Sequence, residues 1–332
     1  MINVPVGAAV LIAALRCLPV ASHRTARRLD LPGVATLSAA MLLLVVPLVV
    51  GRSEGWPVWT WVALAAGVPA LALFLAVERR ITAGGGSPLI NVQVLARPAV
   101  GWALLTLLAA TGTYYALLFT LAQYLQLGLG QSPFISGLTL VPWVAAFGAA
   151  GQLVRRLPPR LIPVAPCLGC LLLAGSYAAI SAALFNGDHA EVLLVVLLGA
   201  GGLGLGIQFS SLIGHLTSAV PTEYAADISG VSSTTVTLGG SIGIAAFGTV
   251  YLSLASHAGP AHATNAFAIT TSVFATVALI ASIAAYLATH TNTTRTHNSS
   301  HPVHTGTCYQ RNPCARRRRR LTSATAQWRE RR

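Results

Sequence analysis

A carboxylate held deep in a membrane is costly, and where one occurs it usually marks an ion or substrate path. The chain has eight acidic residues, Asp30, Glu54, Glu78, Asp188, Glu191, Glu223, Asp227 and Glu330. Each falls in a loop, in the C-terminal tail or at the end of an apolar stretch, so no buried carboxylate is expected for proton coupling. Asp30 and Asp227 precede apolar stretches, where a carboxylate caps the first N–H groups and meets the positive end of the helix dipole. A structural cap is the simpler role for both. His215 falls near the end of a stretch, the wrong depth for a proton relay. Neutral polar groups do occur inside the apolar stretches: Asn3, Tyr114, Tyr115, Gln123, Gln126, Gln208 and Ser210. Such groups can line a water-filled path or make interhelical hydrogen bonds of about 0.6–2 kcal/mol each, and their types leave both roles open. Tyr114, Gln123, Gln126 and Gln208 are the candidates for a substrate pathway.

Other reactive residues do not converge. Cys17, Cys167 and Cys170 lie in or beside apolar stretches. The C-x-x-C spacing of Cys167 and Cys170 falls within a predicted helix and lacks the soluble context of a redox motif, so apolar packing is expected. His301, His304, Cys308 and Cys314 match no standard zinc spacing and are interrupted by Gly306 and Pro313. No metal or cofactor is expected. With no nucleophile, base or paired carboxylates brought together, the chain is not expected to be an enzyme.

The elements that must position these side chains are apolar and long. Hydrophobic residues make up 54% of the 332, charged residues 9%, and mean hydropathy is +0.68. A soluble domain carries roughly 25% charged residues. Nine stretches can each cross a hydrocarbon core about 30 Å thick: Ile2–Leu18, Leu31–Val50, Trp56–Val77, Val100–Tyr124, Phe134–Val154, Leu161–Phe185, Val192–Leu212, Ile228–Leu254 and Ala266–Ala288. In lipid each must be a helix, because the backbone finds no water to bond. Barrel strands would be about ten residues long and would alternate. The expected fold class is all-α, a polytopic membrane protein. Met1–Pro19 has no basic start and no small-residue cleavage site, so it reads as a retained span.

The net charge of +13 is carried by arginine alone, without a lysine. One set of alternate loops holds Arg24, Arg27 and Arg28, then Arg79, Arg80 and Arg97, then Arg155, Arg156 and Arg160, then the tail. The opposite loops hold only Arg52. This is the footprint of membrane topology rather than of nucleic-acid binding, and it places the arginine-rich loops and the C-terminus in the cytoplasm. Trp56, Trp59 and Trp61 cluster at one expected interface. Residues 290–332 carry ten arginines and no apolar face, and read as a disordered tail drawn to anionic lipid.

Glycines concentrate in two stretches. Gly202 with Gly206, and Gly239 with Gly243, have the small-xxx-small spacing that lets helix backbones approach. Close packing and a flexible gating helix are both compatible with it.

Four ordered stretches carry a family resemblance. Ile2-Asn3-Val4-Pro5-Val6-Gly7 resembles the F-L-I-N-V-P-I-G signature in the sixth span of fourteen-span drug:proton antiporters of the major facilitator superfamily. Arg28-Leu29-Asp30-Leu31-Pro32-Gly33 is similar to the D-x-x-G-x-x-L motif opening their seventh span, with Thr36 where leucine is usual. Tyr124-Leu125-Gln126, then Gly130-Gln131-Ser132-Pro133 and Gly137 through Pro142, resembles their Y-L-Q…G-x-S-P…A-G…L-x-P stretch. Leu238-Gly239-Gly240-Ser241-Ile242-Gly243-Ile244-Ala245 resembles the L-G-x-x-x-G-x-A pattern of their thirteenth span. A second, weaker gating motif falls at residues 151–160, where Arg155 replaces the usual aspartate and Pro158 the usual glycine.

The resemblance implies structural roles for Asn3, Pro5, Gly7, Asp30, Gly33, Pro142, Gly239 and Gly243. It also implies a multi-pass plasma-membrane transporter that exchanges a small hydrophobic or cationic, drug- or antibiotic-like substrate for protons. Residues 1–20 would be the last helix of an N-terminal bundle, 21–98 two linking helices and a cytoplasmic loop, 99–289 a C-terminal six-helix bundle and 290–332 the tail. The chain would start at the sixth span, outside the region that normally carries the proton-coupling acid. It is therefore expected to be incompetent alone: a truncated or frameshifted product, or a half-transporter needing a separate N-terminal partner.

Overall fold

In a computed structural model the described residues are 7, 10–11, 13–16, 31–51, 54–83, 97–187, 191–218, 225–255 and 259–290. Eight long helices account for nearly all of them: α1 (Leu31–Val50), α2 (Val58–Ala83), α3 (Pro98–Gln123), α4 (Pro133–Arg155), α5 (Ala165–Phe185), α6 (Glu191–Ser218), α7 (Ala225–Leu254) and α8 (Pro260–His290). A π-helical turn, Tyr124–Gly128, extends α3. Every helix is long and apolar enough to cross a membrane. The fold is all-α, as expected. The first expected span, together with Asn3, Pro5, Cys17 and Asp30, lies largely outside the described residues. Gly7 within it is helical and exposed. The tail and its histidines and cysteines also lie outside.

Helix ends follow local chemistry. Pro98 and Pro133 sit in the first turns of α3 and α4, where a missing N–H leaves no bond unmade. Ser132 caps α4, its hydroxyl accepting from the Ile135 N–H at 3.4 Å. Gly130, at φ +67°, makes the turn before it. The G-x-S-P stretch is thus a turn and helix cap. Two expected boundaries are corrected. Residues 159–164 are turns, so α5 begins at Ala165 rather than Leu161. α7 begins at Ala225, which puts Asp227 in its first turn and not at the cap. A carboxylate there still meets the helix dipole.

α1 and α2 form a hairpin that touches the other helices mainly along α7. In that contact Phe74 and Val231 are buried together, with Leu37 and Leu104 against them. The loop between them and the first turn of α2 present the tryptophans. The indole N–H of Trp59 donates to a Glu54 carboxylate oxygen at 3.0 Å, while Trp56 and Trp61 pair at 5.5 Å. Trp61 is 60% exposed, as an interfacial indole facing lipid would be.

The remaining helices form a six-helix bundle. Its major contacts are α3 with α7, α4 with α6, α5 with α8, α5 with α6 and α3 with α8. Exchanging α3 for α6, α4 for α7 and α5 for α8 maps this set of contacts onto itself. Two three-helix repeats related by a twofold axis produce such a pattern.

Glycines set the two crossings that the exchange relates. On α7, a Cβ at Gly243 would run into the carbonyl of Gly112 on α3, and one at Gly239 would lie 2.6 Å from the Leu108 carbonyl oxygen. On α6, a Cβ at Gly202 would run into the Trp143 carbonyl of α4, and one at Gly206 would lie 2.7 Å from that of Phe147. The small-xxx-small spacing is close backbone packing. α7 and α6 remain unbroken helices through these glycines.

Candidate functional site in the helix bundle

The bundle interior is organised by aromatic rings. Tyr115 and Tyr114 on α3 lie 5.1 Å apart, Tyr114 stacks on Trp143 of α4 at 5.7 Å, and Trp143 stacks on Tyr177 of α5 at 6.1 Å. The row continues to Phe274 of α8 at 5.5 Å and to Phe247 of α7 at 5.2 Å. Trp143, Tyr177 and Phe274 are fully buried, whereas Tyr115 at one end of the row is 36% exposed. Five helices are thereby joined through ring contacts, each worth about 0.5–1.5 kcal/mol beyond its buried area. Only Tyr114 of this row, with Tyr115, stood out in the sequence. The others carry no local signal, because the row assembles from residues far apart in the chain.

Serine and threonine make the interhelical hydrogen bonds. The Ser176 hydroxyl donates to the Leu197 carbonyl at 2.6 Å, and that of Ser181 to the Ala268 carbonyl at 2.8 Å. The candidate glutamines do not share this role. Gln208 is fully buried on α6, and neither its Oε1 nor its Nε2 has a hydrogen-bond partner. The Ser211 hydroxyl, one turn further along α6, is also unpartnered. Leaving such groups unmade costs about 1–3 kcal/mol each.

The four pathway candidates do not meet. Tyr114 belongs to the aromatic row at the middle of α3. Gln123 lines a cavity of about 260 Å³ with Tyr251, Gly128 and Pro260. Gln126 lies half-buried in the π turn. Gln208 lies against the α5 crossing, where Gly169 leaves room for its backbone. Two further cavities lie on the α7 face. One, of about 330 Å³, is lined by Leu48 and Val49 of α1, Tyr115 of α3, and Thr237, Gly240 and Ser241 of α7. The other, of about 430 Å³, lies between Phe209 and Ile213 of α6 and Ser229, Ser233 and Val236 of α7. Sequence reasoning missed this α7 face. Its signal is the four-residue spacing of Ser229, Ser233, Thr237 and Ser241. Thr237 and Ser241 donate to the carbonyls of Ser233 and Thr237, both at 3.0 Å, so the polar face is tolerated without a partner helix.

The expectation about carboxylates needs correction. Glu78 does lie near the end of α2, but it is fully buried. Position along the helix did not decide its exposure: Arg79 and Arg80, which follow it, are exposed. Cys167 and Cys170 are free thiols within α5, and Cys170 is fully buried.

The family model of the Major Facilitator Superfamily matches residues 20–244. The chain belongs to the Major Facilitator Superfamily. Among its relatives are a probable actinorhodin transporter of Streptomyces coelicolor, 32% identical over 269 residues, which are 76% of this chain and 44% of that protein. The multidrug resistance protein Stp of Mycobacterium tuberculosis is 30% identical over 252 residues, 75% of this chain and 45% of its own. The cephamycin export protein CmcT of Amycolatopsis lactamdurans is 31% identical over 278 residues, 79% and 56% of the two chains. The chain spans about half the length of the curated relatives it matches. This superfamily consists of transporters rather than enzymes, which agrees with the absence of converging catalytic groups in the sequence.

Proposed function

We propose that the protein acts in the plasma membrane as a multidrug-efflux transporter, exporting drug- or antibiotic-like hydrophobic compounds in exchange for protons. The observation that carries this reading is that relatives named for an actinorhodin transporter, a multidrug resistance protein and a cephamycin exporter each match about three quarters of this chain. The pseudo-symmetric bundle supports it, since major facilitators rock two such bundles about a midplane site. On this reading α3–α8, about residues 99–289, form one wall of the cavity, and a second bundle, whichever chain supplies it, forms the other. Residues 1–20 belong to that second bundle, 21–98 link the two, and the arginine-rich loops and residues 290–332 lie in the cytoplasm.

Tyr114, Gln123, Gln126 and Gln208 are the substrate-pathway residues in this reading. Gln208 gives the sharpest test, because a buried amide with no protein partner costs stability unless it does something else. Gln208→Leu is expected to stabilise the folded protein by about 1–3 kcal/mol while lowering drug export at least tenfold. Unfolding in detergent and drug accumulation in an efflux-deficient host, measured with the gene product in its complete form, check the two halves. A variant that is stabilised and still exports normally would remove Gln208 from the pathway. Wild-type protein that leaves drug accumulation unchanged would remove the efflux reading itself.

A further inference from the structure

The connection between α4 and α5 gathers positive charge without any negative charge to meet it. Arg155 ends α4, Arg156 is its C-cap, and Arg160 lies in the turns that follow. Residues 151–164 contain these three arginines and no acidic residue. All three are exposed, and none of their guanidinium groups has a hydrogen-bond or ion-pair partner among the described residues. A cation at a helix C-terminus offsets the helix dipole, which accounts for Arg155 and Arg156 but not for Arg160.

The backbone keeps the connection compact. The Arg156 N–H donates to the Leu153 carbonyl at 3.0 Å, the Leu157 N–H to that of Val154 at 3.2 Å, and the Leu161 N–H to that of Pro158 at 2.9 Å. Pro158, Pro159 and Pro163 fix φ along the same run. The turns lie where two membrane-spanning helices end, at the level of lipid headgroups. Beside the arginines, Leu161 is 40% exposed and Ile162 47%. Guanidinium forks pair with phosphate oxygens, and exposed aliphatic side chains pair with hydrocarbon. A partner that satisfies both is a phosphate carried on acyl chains.

The repeat symmetry supplies a comparison within the molecule. It relates this connection to the one between α7 and α8, residues 255–259 on the opposite membrane face, which has no arginine. The bundle itself therefore does not require the arginines.

We propose that the α4–α5 connection is a seat for one anionic phospholipid. Arg155, Arg156 and Arg160 bond its phosphate, and Leu161 and Ile162 lie against the first carbons of its acyl chains. The seat does not depend on the efflux reading.

The test titrates the purified full chain in detergent with dioctanoyl phosphatidylglycerol, dioctanoyl phosphatidylcholine or free glycerol phosphate, and counts bound molecules by native mass spectrometry. Phosphatidylglycerol is expected to bind about tenfold more tightly than either of the others. The triple variant Arg155→Gln, Arg156→Gln, Arg160→Gln is expected to lose the tightest-bound phosphatidylglycerol. Arg316→Gln, Arg317→Gln, Arg318→Gln removes the same charge from the tail and is expected to keep it. The triple Arg→Lys variant at 155, 156 and 160 retains charge but not the fork, and is expected to bind severalfold more weakly. The substituted side chains are exposed, and an unchanged unfolding midpoint verifies the fold. Equal losses in the loop and tail variants, or an Arg→Lys variant equal to wild type, would mean diffuse attraction to anionic lipid and overturn the seat. Glycerol phosphate binding as tightly as the lipid would assign the arginines to a soluble phosphate and overturn it too.

Discussion

The α3–α7 and α4–α6 crossings occupy equivalent places in the two repeats, yet the sequence builds them differently. At α3–α7 both backbones are bare, with Gly112 facing Gly239 and Gly243. At α4–α6 only α6 is bare. Gly202 and Gly206 lie on the backbones of Trp143 and Phe147, and the Trp143 ring packs over the neighbouring Gly201. The Trp143 ring joins Tyr114 and Tyr177, and the Phe147 ring meets Phe209 at 5.9 Å. One glycine-bearing helix is therefore enough for close approach. The helix opposite then remains free to carry large side chains, and here they hold the aromatic row.

If that is the division of labour, the largest loss comes from the row. Trp143→Ala removes a fully buried indole in contact with two other rings. It is expected to cost about 3–5 kcal/mol, read from the unfolding midpoint in detergent, whereas Trp143→Phe keeps most of that stability. A small loss in Trp143→Ala would mean that the row is incidental to the bundle.

Next in size is the one-sided crossing. Gly202→Ala drives a methyl into the Trp143 carbonyl, and the neighbour is backbone that cannot rotate away. Separating the two helices is expected to cost about 1–3 kcal/mol. Gly112→Ala, on the two-sided crossing, brings its methyl only to 3.1 Å from the Gly239 carbonyl oxygen and is expected to cost less than Gly202→Ala under the same measurement. Equal losses would show that Gly112 has no more room than Gly202.

The smallest effect is the control. Gly148 on α4 has nothing within 4 Å of where its methyl would lie. Gly148→Ala is expected to be neutral or to stabilise by up to about 1 kcal/mol through helix propensity. A loss there would mean that this face of α4 is already covered.

These contrasts show which parts of the molecule were legible in the chain. Eight of the expected spans were found, because unbroken apolar runs of about twenty residues leave the backbone one choice in lipid. Boundaries were less legible. Proline and serine marked the start of α4; Pro158, Pro159 and Pro163 marked the turns that end at residue 164, but the apolar run from Leu161 hid where α5 begins. The glycine spacing pointed to close approach without naming its partner, since Gly243 and Gly112 are brought together only by the fold. Candidate site residues fared worst. Glutamines stand out in an apolar sequence, yet Gln123 and Gln208 face different helices. Glu78 was placed correctly near a helix end and still proved fully buried. Burial of a polar group depends on which neighbour covers it, and a single sequence does not record that.

The central claim is gradient-driven export, and reconstitution tests it most directly. The complete gene product is placed in liposomes with a fluorescent hydrophobic drug, and an inward- or outward-directed pH gradient is imposed. Drug movement against its own gradient, opposite in direction to the proton gradient and abolished by a protonophore, is the predicted result. Drug flux that ignores the sign of the pH gradient, or that matches protein-free liposomes, would contradict it.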